Sequence, residues 1–226
     1  MMKSRYFLLT LSLCTILFCS CSKSDDPTIA IEGVVEDAQG NRISNAKIAL
    51  TYHLSGSNPD TASNDGVGIQ FQVASEQNVT LRIKDSSDDL VTTLIDEIKP
   101  EGIYRYSWSL RNDENQFITS GIYTYEIIFG NSDNFEKKLF LNIGHYDAYS
   151  FEEVSYLART DENGRFKINK KDLVFDNPSL DELSLEGNLS NQLTIWAIDS
   201  EMGVASNSDV FYDVQSSEIQ QTNITY

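Results

Sequence analysis

Apolar and polar residues alternate with a period of two along most of this chain. Ile29, Ile31, Gly33 and Val35 share one side of an extended segment, with Ala30, Glu32 and Val34 on the other. A strand dictates that spacing because successive side chains point to opposite faces. Ala46 to Tyr52 repeats it with Ile48, Leu50 and Tyr52. The pattern returns at Ile69, Phe71 and Val73, at Val79, Leu81 and Ile83, and at Leu90 to Ile95. It returns again at Tyr104, Tyr106 and Trp108, at Gly121 to Ile127 and at Lys138 to Leu141. Leu193 to Ile198, Val210 to Val214 and Thr222 to Tyr226 complete the series. Asn, Asp, Gly and Ser fill the gaps, as at Asp37-Ala38-Gln39-Gly40-Asn41. No stretch of a dozen residues carries a 3.6-residue period. The pattern predicts an all-β protein in sandwich form.

The first 27 residues break the pattern. Lys3 and Arg5 precede an apolar run of 13 residues, Tyr6 to Phe18, which is followed by Cys19-Ser20-Cys21. A membrane-spanning helix needs about 20 apolar residues, so this run is too short to remain in a bilayer. A positive start, a short apolar run and a small residue before a cysteine form an export signal. The arrangement resembles a bacterial lipoprotein signal. That resemblance implies removal of residues 1–20, lipid attachment at Cys21 and a tether over 21–27. Phe18 is bulkier than the usual residue at its place, and an ordinary secretory signal cut nearby is the alternative. Lys23-Ser24-Asp25-Asp26 resembles short acidic signals that send lipoproteins to the outer cell surface; a solvated linker is the plain reading. The expected location is the cell envelope, as an outer-membrane lipoprotein.

Two further resemblances divide the rest. The string IEGVVEDAQGNRISNAKIAL, beginning at Ile31, resembles the opening of carboxypeptidase regulatory-like domains. Arg42 stands where that family has proline, and Asn45 where it has glycine. The family's next motif, a T-D-x-x-G-x-F hairpin, matches Thr160-Asp161-Glu162-Asn163-Gly164-Arg165-Phe166, far along the chain. Asn163-Gly164 is itself a hairpin signal, because both residues tolerate positive φ. The stretch between resembles the immunoglobulin-like domain of flagellar hook-capping proteins. NVTLRIKDSSDDLVTTL, the segment Gly102 to Trp108 and ITSGIYTYEI carry that likeness. The family usually follows its Trp with Asp or Asn and two glycines, where this chain has Ser109, Leu110 and Asn115. The expected organisation is two β-sandwich domains. Residues 28–54 and 154–226 form a discontinuous carboxypeptidase regulatory-like sandwich, and 67–142 an immunoglobulin-like sandwich inserted in one of its loops. Segments 55–66 and 142–153 are the crossings. Two tandem sandwiches are the alternative.

Charge changes the partner classes. The chain carries 17 basic and 34 acidic residues, a formal −17. So acidic a surface repels phosphate backbones, which argues against nucleic acid. All three cysteines lie at or before position 21, so the folded part has no disulfide and no thiolate metal site.

Candidate chemistry is sparse. His53 and His145 lie near the two crossings, where a shared metal site competes with two solvated loop histidines. Asp85-Ser86-Ser87-Asp88-Asp89 is acidic enough for calcium but lacks the twelve-residue loop pattern, and a charged turn explains it. Tyr104, Tyr106, Trp108, Tyr123 and Tyr125 are spaced either for a core or for stacking on sugars. Tyr146, Tyr149, Phe151 and Tyr156 either pack the two domains together or form a recognition patch. Asn78, Asn188 and Asn223 match the Asn-x-Ser/Thr pattern, which carries little weight in a bacterial lipoprotein. The sequence therefore predicts no catalytic, cofactor or metal residue. It predicts a membrane contact through lipid at Cys21 and a non-catalytic protein that meets a protein or glycan partner. A carbohydrate-binding accessory lipoprotein of a glycan-uptake system is the competing class.

Overall fold

The computed structural model describes residues 28–54, 66–130, 133–143, 155–177, 183, 189–199, 201–213 and 215–226. Among these, thirteen strands form four sheets. The first sheet orders β10 (Arg165–Asn169), β1 (Ile29–Glu36) and β13 (Gln220–Thr225). The second orders β12 (Val204–Phe211), β11 (Leu189–Asp199), β2 (Lys47–Leu54) and β9 (Ala158–Arg159). The third pairs β3 (Val67–Val73) with β6 (Gly102–Trp108). The fourth orders β5 (Leu90–Lys99), β4 (Gln77–Lys84), β7 (Gly121–Phe129) and β8 (Asp133–Leu141). The fold is all-β and of sandwich type. Pairings are antiparallel except β1 with β13, where Ile31 lies opposite Gln220.

Two cores follow from the alternation. Ile31 and Val35 of β1 meet Ile48, Leu50 and Tyr52 of β2, together with Phe166, Leu193, Ile195 and Ile224. The second core gathers Ile69, Phe71, Leu81, Ile83, Trp108, Tyr123 and Ile127. So the first two strands share a core with β9 to β13, to which β7 adds Ile122 and β8 adds Phe140, and strands β3 to β8 share the other. Gly33 lies where this packing is tightest: a Cβ there would fall 2.6 Å from the Phe166 ring and from the Thr222 carbonyl oxygen.

One turn recurs four times, at Asp37–Asn41, Asp85–Asp89, Asn112–Gln116 and Asp161–Arg165. In each, the first side chain's Oδ1 accepts hydrogen bonds from the third and fifth backbone N–H groups. The fourth residue's N–H donates to the first carbonyl at 2.9–3.1 Å. That fourth residue is left-handed in every case: Gly40 at φ +83, Asp88 at +68, Asn115 at +61 and Gly164 at +67. This is the type I turn closed by a left-handed residue that serves hairpins. Asn163 is absent from the positive-φ set, so Asn163-Gly164 uses one left-handed residue and not the two that its sequence tolerates. Asn45 and Leu110, at φ +62 and +61, take the same conformation without being glycine.

The strands extend beyond the apolar signal at the edges. β12 begins at Val204, ahead of the Val210–Val214 run, and β8 begins at Asp133, ahead of Lys138. Both are edge strands, where polar residues are tolerated and alternation fades.

Charge is placed with similar economy on the outward face of the fourth sheet. Glu126 is 3% exposed and pairs with Arg82, with Lys84 at 3.4 Å and with Asn134 at 2.8 Å. Burial pushes its carboxyl up, but hydrogen bonds from Arg82 and Asn134 and the charges of Arg82 and Lys84 outweigh burial and hold it at about 2. A depressed carboxyl stabilises the fold above its unfolded value near 4.5; that contribution is lost as pH falls toward 2. It amounts to roughly 3 kcal/mol.

Gly164→Ala should destabilise by about 2–3 kcal/mol, because it adds a Cβ 2.6 Å from the Val35 carbonyl oxygen as well as left-handed strain. Gly40→Ala, with open space at that site, should cost only about 1 kcal/mol; chemical denaturation compares the two, and equal losses would contradict the packing. Glu126→Gln should cost about 3 kcal/mol at pH 7 and flatten the stability profile between pH 5 and 2 relative to the parent; parallel profiles would contradict the ion cluster.

Candidate functional site

The strands of the two cores meet along one edge of β2. β9 covers that edge only at Lys47 and Ile48. Further along, the side chain of Asn142, just past β8, takes over. Its Oδ1 accepts from the Tyr52 N–H at 2.9 Å, and its Nδ2 donates to the Tyr52 carbonyl at 2.8 Å. An amide side chain offers one donor and one acceptor side by side, so it replaces a strand's peptide group. The next carbonyl, Ile143, accepts from Thr51 Oγ1 at 2.8 Å, and Thr51 Oγ1 accepts from Trp196 Nε1 at 3.0 Å. On the return crossing, Ser155 N–H donates to Phe117 and Leu157 N–H to Ile48.

Apolar contacts close the seam. The Tyr52 ring meets Phe140 and Phe175 edge-on, each at 5.8 Å. Its hydroxyl accepts from the Val174 N–H at 3.2 Å. On the outward side of the second sheet, Ala49, Trp196 and Ile198 pack with Phe117 and Ile143. Phe117, Phe140 and Ile143 thus pack against strands of the first core.

Two clefts flank this seam. The smaller, ≈ 90 Å³, lies between the Asp85–Ser87 turn and the Asp172–Val174 segment. The larger, ≈ 350 Å³, opens between the Asn112–Glu114 turn and Ser155–Leu157. That volume is at the low end for a small-molecule pocket. Asp85, Asp113 and Glu114 give it an acidic rim, which disfavours anionic ligands.

Cys21, His145, Tyr146, Tyr149, Phe151 and Asn188 lie outside the described residues. His53 Nε2 sits 2.7 Å from Thr194 Oγ1, whose proton goes to Asp209 Oδ1 at 2.6 Å. The carboxylate therefore holds the hydroxyl. A nucleophile relay runs the other way, with the carboxylate on the histidine and the histidine accepting from the hydroxyl. Asp85 spends Oδ1 on its own turn, and Asp88 faces Lys84 at 3.0 Å. Asn78 bonds Asp96 at 3.0 Å, and Asn223 is exposed on β13.

The aromatic set divides. Trp108 is 1% exposed and donates Nε1–H to the Arg111 carbonyl at 2.9 Å. Tyr123 and Tyr125 are buried too. Tyr104 and Tyr106 are half-buried beside Phe71, and Lys99 Nζ lies 5.1 and 5.7 Å from their ring centroids. These rings are committed to the core or to a cation. Tyr156, 41% exposed, carries Arg159 over its ring at 4.1 Å.

Sequence reasoning missed Asn142, because a single asparagine after a strand looks like any turn residue. It also missed the His53–Thr194–Asp209 chain, which only the register of β2, β11 and β12 assembles.

Comparison with protein-family models and with curated proteins finds no match to this chain.

The seam makes its own prediction. Asn142→Ala should cost about 2 kcal/mol, the net value of two hydrogen bonds to partly buried backbone. Amide exchange at Tyr52 should accelerate with it. Unchanged exchange at Tyr52 would show that the clasp does not hold the edge.

Proposed function

We propose that this chain is a lipid-anchored, non-catalytic protein of the bacterial cell envelope that presents a β-sandwich surface to a macromolecular partner. The observation that carries the reading is the seam. Backbone clasping by Asn142, shared aromatic packing around Tyr52 and the tied crossings at 142–143 and 155–157 brace the two sandwiches against each other. A braced scaffold suits a protein that works by holding a surface in place.

The export signal supplies the address. Cys21 is the acylated residue, and seven residues separate it from Ile29 at the start of β1. Eight residue steps reach at most about 28 Å. The carbonyl of Thr28 accepts from Lys170 N–H at 2.8 Å, close to the Asp172–Val174 segment that lines the smaller cleft. Thr28, the first described residue, thus lies near the seam. Several acyl chains on one cysteine give lasting attachment, since each buried methylene contributes about 0.8 kcal/mol.

The domain reading is a carboxypeptidase regulatory-like sandwich interrupted by an immunoglobulin-like one. It is supported where the sequence departs from those patterns. Asn45 occupies a glycine position and takes φ +62; in the region where the second family carries glycines, Leu110 and Asn115 take φ +61. The backbone demand persists although the residues changed. Protein is the preferred partner over glycan, because the rings spaced for stacking are buried or capped by Lys99.

Mass spectrometry of the membrane-extracted protein should show an N-terminal acylated Cys21, and Cys21→Ser should move the protein to the soluble fraction. A soluble parent protein beginning at another residue would refute the anchor.

A further inference from the structure

Among the described residues, β3 pairs with β6 alone, and the two-stranded sheet they form faces a sheet of four. The narrow sheet cannot cover the wide one. β6 joins β5 through Pro100–Glu101 alone, whereas Phe71 of β3 reaches Phe129 of β7, so β3 lies on the β7 side of β6. The uncovered stripe shows at Phe135. It pairs with buried Ile127 across the β7–β8 ladder, which puts it on the core-facing side, yet it is 50% exposed. Its ring sits 6.1 Å from that of Tyr125. Phe71 of β3 lies at the same level, 5.9 Å from Phe129, which pairs with Asp133.

Among the described residues, no strand pairs with the other edge of β3. Edge strands are normally blunted by charge or proline. β8 carries Glu136, Lys137 and Lys138; β5 carries Asp96, Glu97 and Lys99; β10 carries Arg165 and Lys167; β12 carries Asp209. β13 is uncharged, but Ser206 Oγ donates to the Thr225 carbonyl at 2.7 Å, which ties it to β12. β3 reads Val-Gly-Ile-Gln-Phe-Gln-Val, with neither charge nor proline along its whole length.

We infer that the open edge of β3 is a docking site for an extended strand of another protein. The partner segment adds a third strand to the narrow sheet. Its backbone pairs with residues 67–73, its inward side chains are apolar and cover Phe135, and its outward side chains are neutral or basic. Main-chain hydrogen bonds supply affinity and the alternate side chains specificity. Charge selects against a second copy of this chain. At a formal −17, two copies repel each other, and the same field draws in a basic segment. This deepens the reading of the molecule as a presented surface and rests on it. The anchor is tested on Cys21 by mass spectrometry, so the two can fail separately.

The test uses the full chain and a fluorescein-labelled nine-residue peptide in which valine alternates with threonine and lysine. Anisotropy should rise saturably, and amide exchange of residues 67–73 should slow only in the complex. Peptides N-methylated at every second residue, in either register, should not bind. Phe135→Ser should weaken binding at least tenfold with an unchanged melting temperature. Equal binding by the N-methylated peptides would overturn the inference, as would no binding at all. Slow exchange of residues 67–73 in the free chain would overturn it by showing the edge already filled. A dimer that competes with the peptide would overturn it by making a second copy the occupant.

Discussion

A strand buried on both faces must have both of its edges satisfied, and β2 is that strand. Every residue from Lys47 to Tyr52 is buried. Water cannot reach its peptide groups, so each unpaired one would carry a large desolvation cost. β11 fills one edge. The other is shared among β9, Leu157 and the side chain of Asn142. The last of these comes from the strands of the second core. Satisfying β2 therefore fixes where the two sandwiches meet, and the Tyr52 ring between Phe140 and Phe175 then fills the space the contact leaves.

The acidic surplus reads differently once the turns are seen. Asp37, Asp85 and Asp161 each use a carboxylate oxygen to hold two backbone N–H groups of their own turn. Hydrogen bonds hold the Asp37 carboxyl below the usual range, first from the Asn41 side chain. The Asp161 carboxyl is lowered too, first by the Arg165 N–H. Part of the negative charge thus stands at hairpin tips, where it shapes the chain. Glu126 is the exception, a buried carboxylate ringed by Arg82, Lys84 and Asn134 on a sheet face.

The fold class was legible because alternation is a direct trace of burial: Ile48, Leu50 and Tyr52 point into the first core, as their spacing requires. Asn45, Leu110 and Asn115 depart from the patterns this sequence resembles. They are left-handed residues doing what glycine would do. Edge strands were under-read, since β12 has one wet side and weak periodicity. The seam was illegible. Asn142 pairs with Tyr52 across 90 positions, and no local pattern encodes a contact that distant. The stacking rings were ambiguous for a similar reason, because spacing places Trp108 on a face without saying that the face is interior.

The central claim is that the first two strands share one core with the last third of the chain. A single protease site introduced within residues 55–65 tests it most directly. After cleavage, size-exclusion chromatography under native conditions should keep the N-terminal fragment bound to the remainder, with release only in denaturant. An N-terminal fragment that dissociates under native conditions, leaving the larger fragment folded with an unchanged melting temperature, would contradict it.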